Sequence, residues 1–487
     1  MSRALDNLDP KNLWGLFEDF CNIPHASKKE AKIVEYVCSY AATLGLETII
    51  DRAGNVIIRK PATPGMENRL GIVLQGHLDM VPQKNNDTMH DFDTDPIRPV
   101  VDGDWVRASG TTLGADNGIG AAAALAALAE KNLPHGPLEV LLTIEEETGL
   151  TGARKLEPGL LKGDILINLD SEDEGELYIG CAGGLDTVAI FTYKEEPVPA
   201  GHIAYRVEVK GLKGGHSGLD INLGRGNANK ILNRLLWEAS RSLDLRLAAF
   251  TGGTLRNAIP REAIALVTIP AGNAGKFEAK AAMLEAAIKK EFGEVEPNFS
   301  MKVIKIETPE YVIDNSSAVN LMHAVYSCPN GTMRMVSDMP EVVETSTNLA
   351  VVRTGNGKIE VASLQRSSVD SAKDDLGNML CAVFELAGAQ VSQSGSYPGW
   401  KPNLNSPILK AMKEVYHNKF GKTPEQKVIH AGLECGIIGG TYPNLDLISF
   451  GPTIKYPHSP DEKVNIPSVQ LFYDFLLETL KHAPLKP

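Results

Sequence analysis

Apolar residues recur at helical spacing from Leu13 to Leu44 (Leu13, Leu16, Phe17, Phe20, then Ile33, Val34, Val37, Ala41), and a turn around Pro24 divides them into two predicted helices. The pattern then alternates. ETIIDRAGNVIIRK reads as a hairpin with Gly-Asn at its turn; GIVLQ (71–75), LEVLLTI (138–144) and DILINL (164–169) read as short apolar strands, and GIGAAAALAALAEK (118–131) as an Ala-rich helix. Apolar strands interleaved with helices predict an α/β sheet buried on both faces.

Near Gly183 the order changes. HIAYRVEVKG, NANKILNRLLWEAS, TGGTLRNAIP, EAIALVTIP and KFEAKAAMLEAAIKKEF follow one another as β-α-β-β-α, the succession of an α+β insert, and a similar strand-then-helix run extends from Met333 to Leu386. The Ser-, Gly-, Pro- and Asn-rich segment 392–407 has the composition of a crossover between domains. Beyond it, PILKAMKEVYHNKF, LDLISF (445–450) and SVQLFYDFLLETLKH return to α/β character. The organisation expected is one α/β domain in two parts, 1–186 and 400–487, interrupted by an insert over 187–399.

The chain of 487 residues is 43% hydrophobic and 22% charged, which is ordinary for a globular protein of several domains. Its net charge of −13 repels polyanions, so neither nucleic acid nor an anionic membrane is an expected partner. Six scattered cysteines without a Cys-x-x-Cys pair signal neither a disulfide framework nor a thiolate zinc site. The charged opening MSRALDNLDPKNLW and the lack of an apolar run near the length of a membrane span make cytoplasmic residence the expectation.

Open α/β sheets place their sites beyond the carboxyl ends of the strands. Here GIVLQ leads into Gly76-His77-Leu78-Asp79, LEVLLTI into Glu145-Glu146-Glu147, DILINL into Asp170-Ser171-Glu172, and LDLISF into a loop carrying His458; Asp116 precedes the Ala-rich helix. Singly, each has a plainer role: Asp116 as a helix N-cap, the glutamates as a solvated turn, His77 and Asp79 as a hydrogen-bonded pair, His458 as a loop histidine. Together, Asp79, Asp116, the three glutamates and Asp170 at one sheet edge repel one another unless cations neutralise them. Imidazole and carboxylate without thiolate suit zinc, cobalt or manganese, and two histidines with three carboxylates suffice for two ions sharing a bridge. Two divalent ions, three carboxylates and a bridging hydroxide sum to zero charge, and the chemistry such a pair supplies is hydrolysis.

These residues, in this order, resemble the co-catalytic zinc aminoacylases, carboxypeptidases and dipeptidases: His77-x-Asp79, Gly114-Ala115-Asp116-Asn117-Gly118, a Glu-Glu-x-Gly element, Asp170 and a C-terminal His458. GGHSGLDINLGRGNANK and HAGLECG are most similar to the family's branch of cytosolic dipeptidases acting on Xaa-His peptides. The resemblance implies a zinc-exopeptidase-like catalytic domain, its mixed sheet flanked by helices and interrupted by an α+β, ferredoxin-like lid through which the chain forms a homodimer. It implies two zinc ions, with cobalt or manganese as substitutes: one on His77 and Asp170, the other on Glu147 and His458, bridged by Asp116. Asp79 is implied behind His77. Three adjacent glutamates cannot be ranked by pattern alone; the family's spacing to Gly149 selects Glu146 as general base and Glu147 as ligand.

In the lid, the resemblance assigns substrate contacts to His216, at the oxyanion, and to Asn257, Arg366 and Gly432, with Arg366 suited to a terminal carboxylate. Relatives commonly carry a proline shortly after the lid histidine, where this chain has Gly218-Leu219-Asp220, and the insert is longer than one ferredoxin-like lid. The expected activity is hydrolysis of unblocked dipeptides, with an N-acyl amino acid amidohydrolase or carboxypeptidase as the alternative.

Overall fold

The computed structural model describes residues 3–486. They divide into two compact units: one holds the chain up to Gly180 with Trp400–Val428 and the chain from Leu433 onward, the other holds Cys181–Gly399 with Ile429–Gly432.

The first unit is built on an eight-stranded sheet in the order Glu47–Ile50, Val56–Lys60, Leu138–Thr143, Ile72–His77, Ile165–Asn168, Asp446–Ser449, Glu176–Cys181, Glu425–Ile429. Its four central strands, from Leu138–Thr143 to Asp446–Ser449, run parallel, so their carboxyl ends emerge along one edge. The predicted hairpin forms, with Glu47–Ile50 antiparallel to Val56–Lys60, and Asp51 Oδ1 closes its turn by accepting the backbone N–H groups of Ala53, Gly54 and Asn55. Helix Ala115–Ala129 is buried all round, Ala121 to Ala127 having no exposed surface, which only small side chains permit. At Gly120 an added Cβ would lie 2.2 Å from the Leu169 carbonyl oxygen, so the helix approaches the strand end as closely as backbone allows.

A small sheet, in the order Ile454–Lys455, Lys463–Asn465, Trp105–Ala108, Pro99–Asp102, presents two loops side by side. One contains His458. The other leads from Ala108 to Asp116.

The insert unit contains two β-α-β-β-α-β units. The first runs His202–Lys210, Ala228–Ser242, Arg246–Gly252, Ala263–Pro270, Ala274–Phe292, Ser300–Ile306, with antiparallel strands in the spatial order fourth, first, third, second. The second runs Gly183–Thr192, Asn315–Ser327, Met339–Gly355, Lys358–Ser367, Asp370–Leu386, Gln390–Tyr397, in the same order. The second strands of the two units pair where Thr251 faces Arg353, giving one continuous sheet. Leu235, Phe277, Leu321 and Phe384, one from each long helix, share one buried core, so all four helices cover the same face. The insert is thus a doubled ferredoxin-like fold, which accounts for its being longer than one ferredoxin-like lid. The predicted crossover over 392–407 is corrected in its first half: Ser392–Tyr397 belong to an edge strand whose largely exposed side chains leave no apolar signal.

Helix Asn315–Ser327 shows how the insert secures its element ends. Asp314 accepts the N–H groups of Ser317 (3.0 Å) and Lys194 (2.9 Å), and at the other end Lys230 Nζ donates to the carbonyls of Val325, Tyr326 and Cys328. Replacing Asp314 by alanine is expected to cost about 1–2 kcal/mol, read as a lower denaturant midpoint with secondary structure retained.

Candidate metal centre

The carboxyl edge of the parallel strands brings His77, Asp116, Glu146, Glu147, Asp170 and His458 together. Ligand atoms of His77, Asp116 and Asp170 lie within 4.8 Å of one another, as do those of Asp116, Glu147 and His458 and those of His77, Glu146 and Glu147, so that Asp116 belongs to the first two sets. His77 Nε2 faces Asp116 Oδ1 at 3.2 Å and Asp170 Oδ1 at 3.5 Å; His458 Nε2 faces Asp116 Oδ2 at 3.1 Å and Glu147 Oε1 at 3.0 Å. Asp116 therefore presents one oxygen to each histidine. It caps no helix: the N-cap position is Gly114, and Asp116 and Asn117 lie outside helical backbone geometry.

Electrostatics show what the cluster demands. Burial pushes the Asp170 carboxyl up to about 7, and the nearby Asp116 and Glu147 charges add to this. Hydrogen bonds to Asp116 and Glu147 hold His458 up at about 11. Burial alone lowers His77, but Asp170, Asp116 and Asp79 outweigh it and keep the ring well above its ordinary value. The carboxylates thus draw positive charge onto every group that can carry it. Asp170 Oδ1 is buried and accepts no hydrogen bond among the described residues. A pair of divalent cations satisfies both requirements, and the donor set of two imidazoles and three carboxylates fits such a pair.

Neighbouring groups set the orientation of this shell. His77 Nδ1 lies 2.9 Å from the Asp79 carbonyl oxygen and 3.4 Å from its carboxylate, an arrangement that directs Nε2 at the acids. The Asp79 carboxylate itself accepts the N–H groups of Glu146 (2.9 Å) and Glu147 (3.2 Å) and the Ser27 hydroxyl (2.7 Å). Burial would raise it, yet His77 and these donors hold it at about 2. Asp79 thereby shapes the glutamate turn as well as the imidazole. Asn117 joins two strand ends, Oδ1 accepting the His77 N–H (3.2 Å) and Nδ2 donating to the Leu169 carbonyl (2.7 Å). Burial places the Glu146 carboxyl well above the usual range, and Asp170, Glu434 and Glu147 push the same way against His77.

Sequence reasoning missed Glu462. Its buried carboxylate accepts four consecutive backbone N–H groups, of Leu113 (2.7 Å), Gly114 (3.0 Å), Ala115 (2.8 Å) and Asp116 (3.2 Å), and so ties the His458 loop to the Asp116 loop. Ser27 was missed also. Neither lies in a periodic pattern, and their partners are remote in sequence.

Within the insert, the four predicted substrate residues gather in a second cluster. His216 pairs with Ala258 across two short strands, and Ser217 N–H donates to the Asn257 carbonyl (2.8 Å). Arg366 Nε reaches Ser217 Oγ at 3.4 Å and Nη1 reaches the Tyr397 hydroxyl at 3.1 Å, while Gly432 leaves room for the Tyr397 ring, 3.1 Å from where a Cβ would stand. His216 Nδ1 accepts the N–H groups of Gly218 (3.2 Å) and Leu219 (3.1 Å), so the ring proton resides on Nε2, and burial with the Arg366 charge lowers its basicity. Asp220 Oδ2 accepts the His216 backbone N–H at 2.8 Å. Tyr397, Ser217 and His430, whose Nε2 lies 2.7 Å from Ser346 Oγ, were not anticipated.

Glu462→Gln sets an NH2 group against two N–H donors of the Asp116 loop, so a loss of about 2 kcal/mol or more is expected in chemical denaturation.

Residues 73–482 match the model of peptidase family M20/M25/M40. The chain is 48% identical to the cytosol non-specific dipeptidase of Escherichia coli (strain K12) over 482 residues, 99% of each chain. It superposes on the crystal structure of aminoacylhistidine dipeptidase from Vibrio alginolyticus with a TM-score of 0.96, at 51% identity and 99% coverage of both chains. Aminopeptidase PepT from Bacillus cereus shares the fold at a TM-score of 0.58 and 17% identity, with 98% of this chain and 99% of that one covered. The ordered ligand candidates on a parallel sheet edge and these full-length likenesses place the chain in the M20/M25/M40 family of peptidases.

Proposed function

We propose that this chain is a di-metal dipeptidase that hydrolyses unblocked dipeptides, Xaa-His peptides among them. The observation that carries the reading is the pair of ligand sets sharing Asp116, with Glu146 beside them. The names of the two full-length relatives support the substrate class and the cytosol as its place of action.

His77 and Asp170 would hold one ion, Glu147 and His458 the other, and Asp116 would serve both; zinc is the expected metal, with cobalt or manganese able to replace it. Bound there, such a pair would supply Lewis-acid chemistry, favouring ionisation of a water at neutral pH and polarisation of a carbonyl. Glu146 accepts a proton from the attacking water on its carboxylate and returns it to the nitrogen of the leaving amine. Asp79 keeps the His77 tautomer and the Glu146–Glu147 turn in place. From the insert cluster, His216 offers Nε2–H to the developing oxyanion, a role its Nδ1 contacts favour because they leave that nitrogen the donor. Arg366 pairs with the peptide's terminal carboxylate through its planar guanidinium, and Asn257 and Gly432 line the same substrate.

Two outcomes are expected. The protein releases histidine from an unblocked Xaa-His dipeptide and leaves its N-acetylated form intact; the reverse preference would make it an N-acyl amino acid amidohydrolase. Glu146→Ala lowers kcat by about 10²–10⁴-fold while the metal content, measured by elemental analysis, stays at the wild-type level. Unchanged turnover would remove Glu146 from the mechanism.

A further inference from the structure

Four uncharged polar side chains are buried among the aliphatic residues of the parallel sheet. Gln75, Thr143, Asn168 and Ser449 come one from each of the four central strands, close to its carboxyl end, and none has exposed surface. They form a chain. Gln75 Oε1 accepts from Asn168 Nδ2 at 2.6 Å; Asn168 Oδ1 accepts the Ser449 hydroxyl at 2.5 Å and the Asp170 N–H at 3.3 Å.

The chain ends on a carboxylate that the mechanism does not use. Glu434, at the start of helix Glu434–Thr441, is 1% exposed, and its Oε2 accepts both Gln75 Nε2 (2.5 Å) and Thr143 Oγ1 (2.7 Å). Its Oε1 has no hydrogen-bond partner among the described residues. Burying such groups is costly where valine or leucine would pack freely, and a chain of buried hydrogen bonds of this kind rigidifies what it joins. What it joins here are the strand ends that deliver the ligands: His77 follows Gln75 by two residues, Glu147 follows Thr143 by four, and Asp170 follows Asn168 by two.

We infer that Glu434 is a positioning residue of the metal centre, fixing through Gln75, Thr143 and Asn168 the mutual placement of the strand ends that carry His77, Glu147 and Asp170. The inference rests on the ligand roles proposed above. It also gives the Glu of the HAGLECG motif a physical task.

Both donors converge on one oxygen, which separates position from charge. In Glu434→Gln the amide oxygen can accept both, and the NH2 group takes the place of the unpartnered Oε1. Zinc affinity is read by competition with a chromophoric chelator, using full-length protein stripped of metal. Glu434→Gln is expected within about threefold of wild type, and Glu434→Ala about 10–100-fold weaker, with kcat recovering at excess zinc and KM for the dipeptide unchanged. Should Glu434→Ala fail to fold, Thr143→Val removes one of the two donors and is expected to weaken zinc binding about 3–10-fold. Wild-type affinity in Glu434→Ala or in Thr143→Val overturns the inference, as does a Gln variant as weak as the Ala variant. Asp170→Ala is measured alongside: if it too binds zinc normally, the ligand reading itself fails, whereas its loss beside an unaffected Glu434→Ala rejects the positioning role alone.

Discussion

The arrangement depends on mutual repulsion among carboxylates. Asp116, Glu146, Glu147 and Asp170 converge on two histidines at the edge of a parallel sheet, in surroundings where burial pushes carboxyl groups toward neutrality. Like charges at these separations destabilise a fold unless cations or protons compensate them. The protein alone compensates by holding positive charge on His77 and His458. Divalent ions would do so more completely, and under the proposed function they would place a Lewis acid where peptide hydrolysis needs one.

Holding such a cluster together is the task of the backbone contacts around it. Glu462 collects four N–H groups of the Asp116 loop, Asp79 takes two from the glutamate turn, and Asn117 spans the ends of two strands. Each is an acceptor or donor set on one element and spent on another. Rigidity of this kind matters because metal geometry tolerates little drift, and the groups around the ligands set both their orientation and their basicity. The insert applies the same economy to His216, whose ring Nδ1 is engaged by the N–H groups of Gly218 and Leu219 and whose own backbone N–H is taken by Asp220.

How much of this could be read from the chain follows from what leaves a local trace. His77, Asp170 and the three glutamates each follow a short apolar run, and a strand buried on both faces marks its own carboxyl end. His458 and Asp116 were legible as candidates beyond a strand and before a helix, but their pairing was not, since the small sheet that joins their loops unites strands from opposite ends of the sequence. Glu462 and Ser27 left no trace, because each acts on groups far away in sequence, and Glu434, though it stands in the family-like HAGLECG motif, gave no local sign of its partners Gln75 and Thr143. The doubled ferredoxin-like insert was hidden by its connectivity: the first strand of the second unit, Gly183–Thr192, is parted from its helix, Asn315–Ser327, by the whole of the first unit. Its last strand, polar and at an edge, read as a loop for want of a buried face.

The most direct test of the account is a zinc titration of metal-stripped protein, following histidine release from an unblocked Xaa-His dipeptide while bound zinc is counted. The account predicts no turnover without metal, activity that rises with zinc and levels off at two ions per chain, and loss of both ions' tight binding in Asp116→Ala. Turnover in the stripped protein, or an Asp116→Ala variant that still binds two ions tightly, would contradict it.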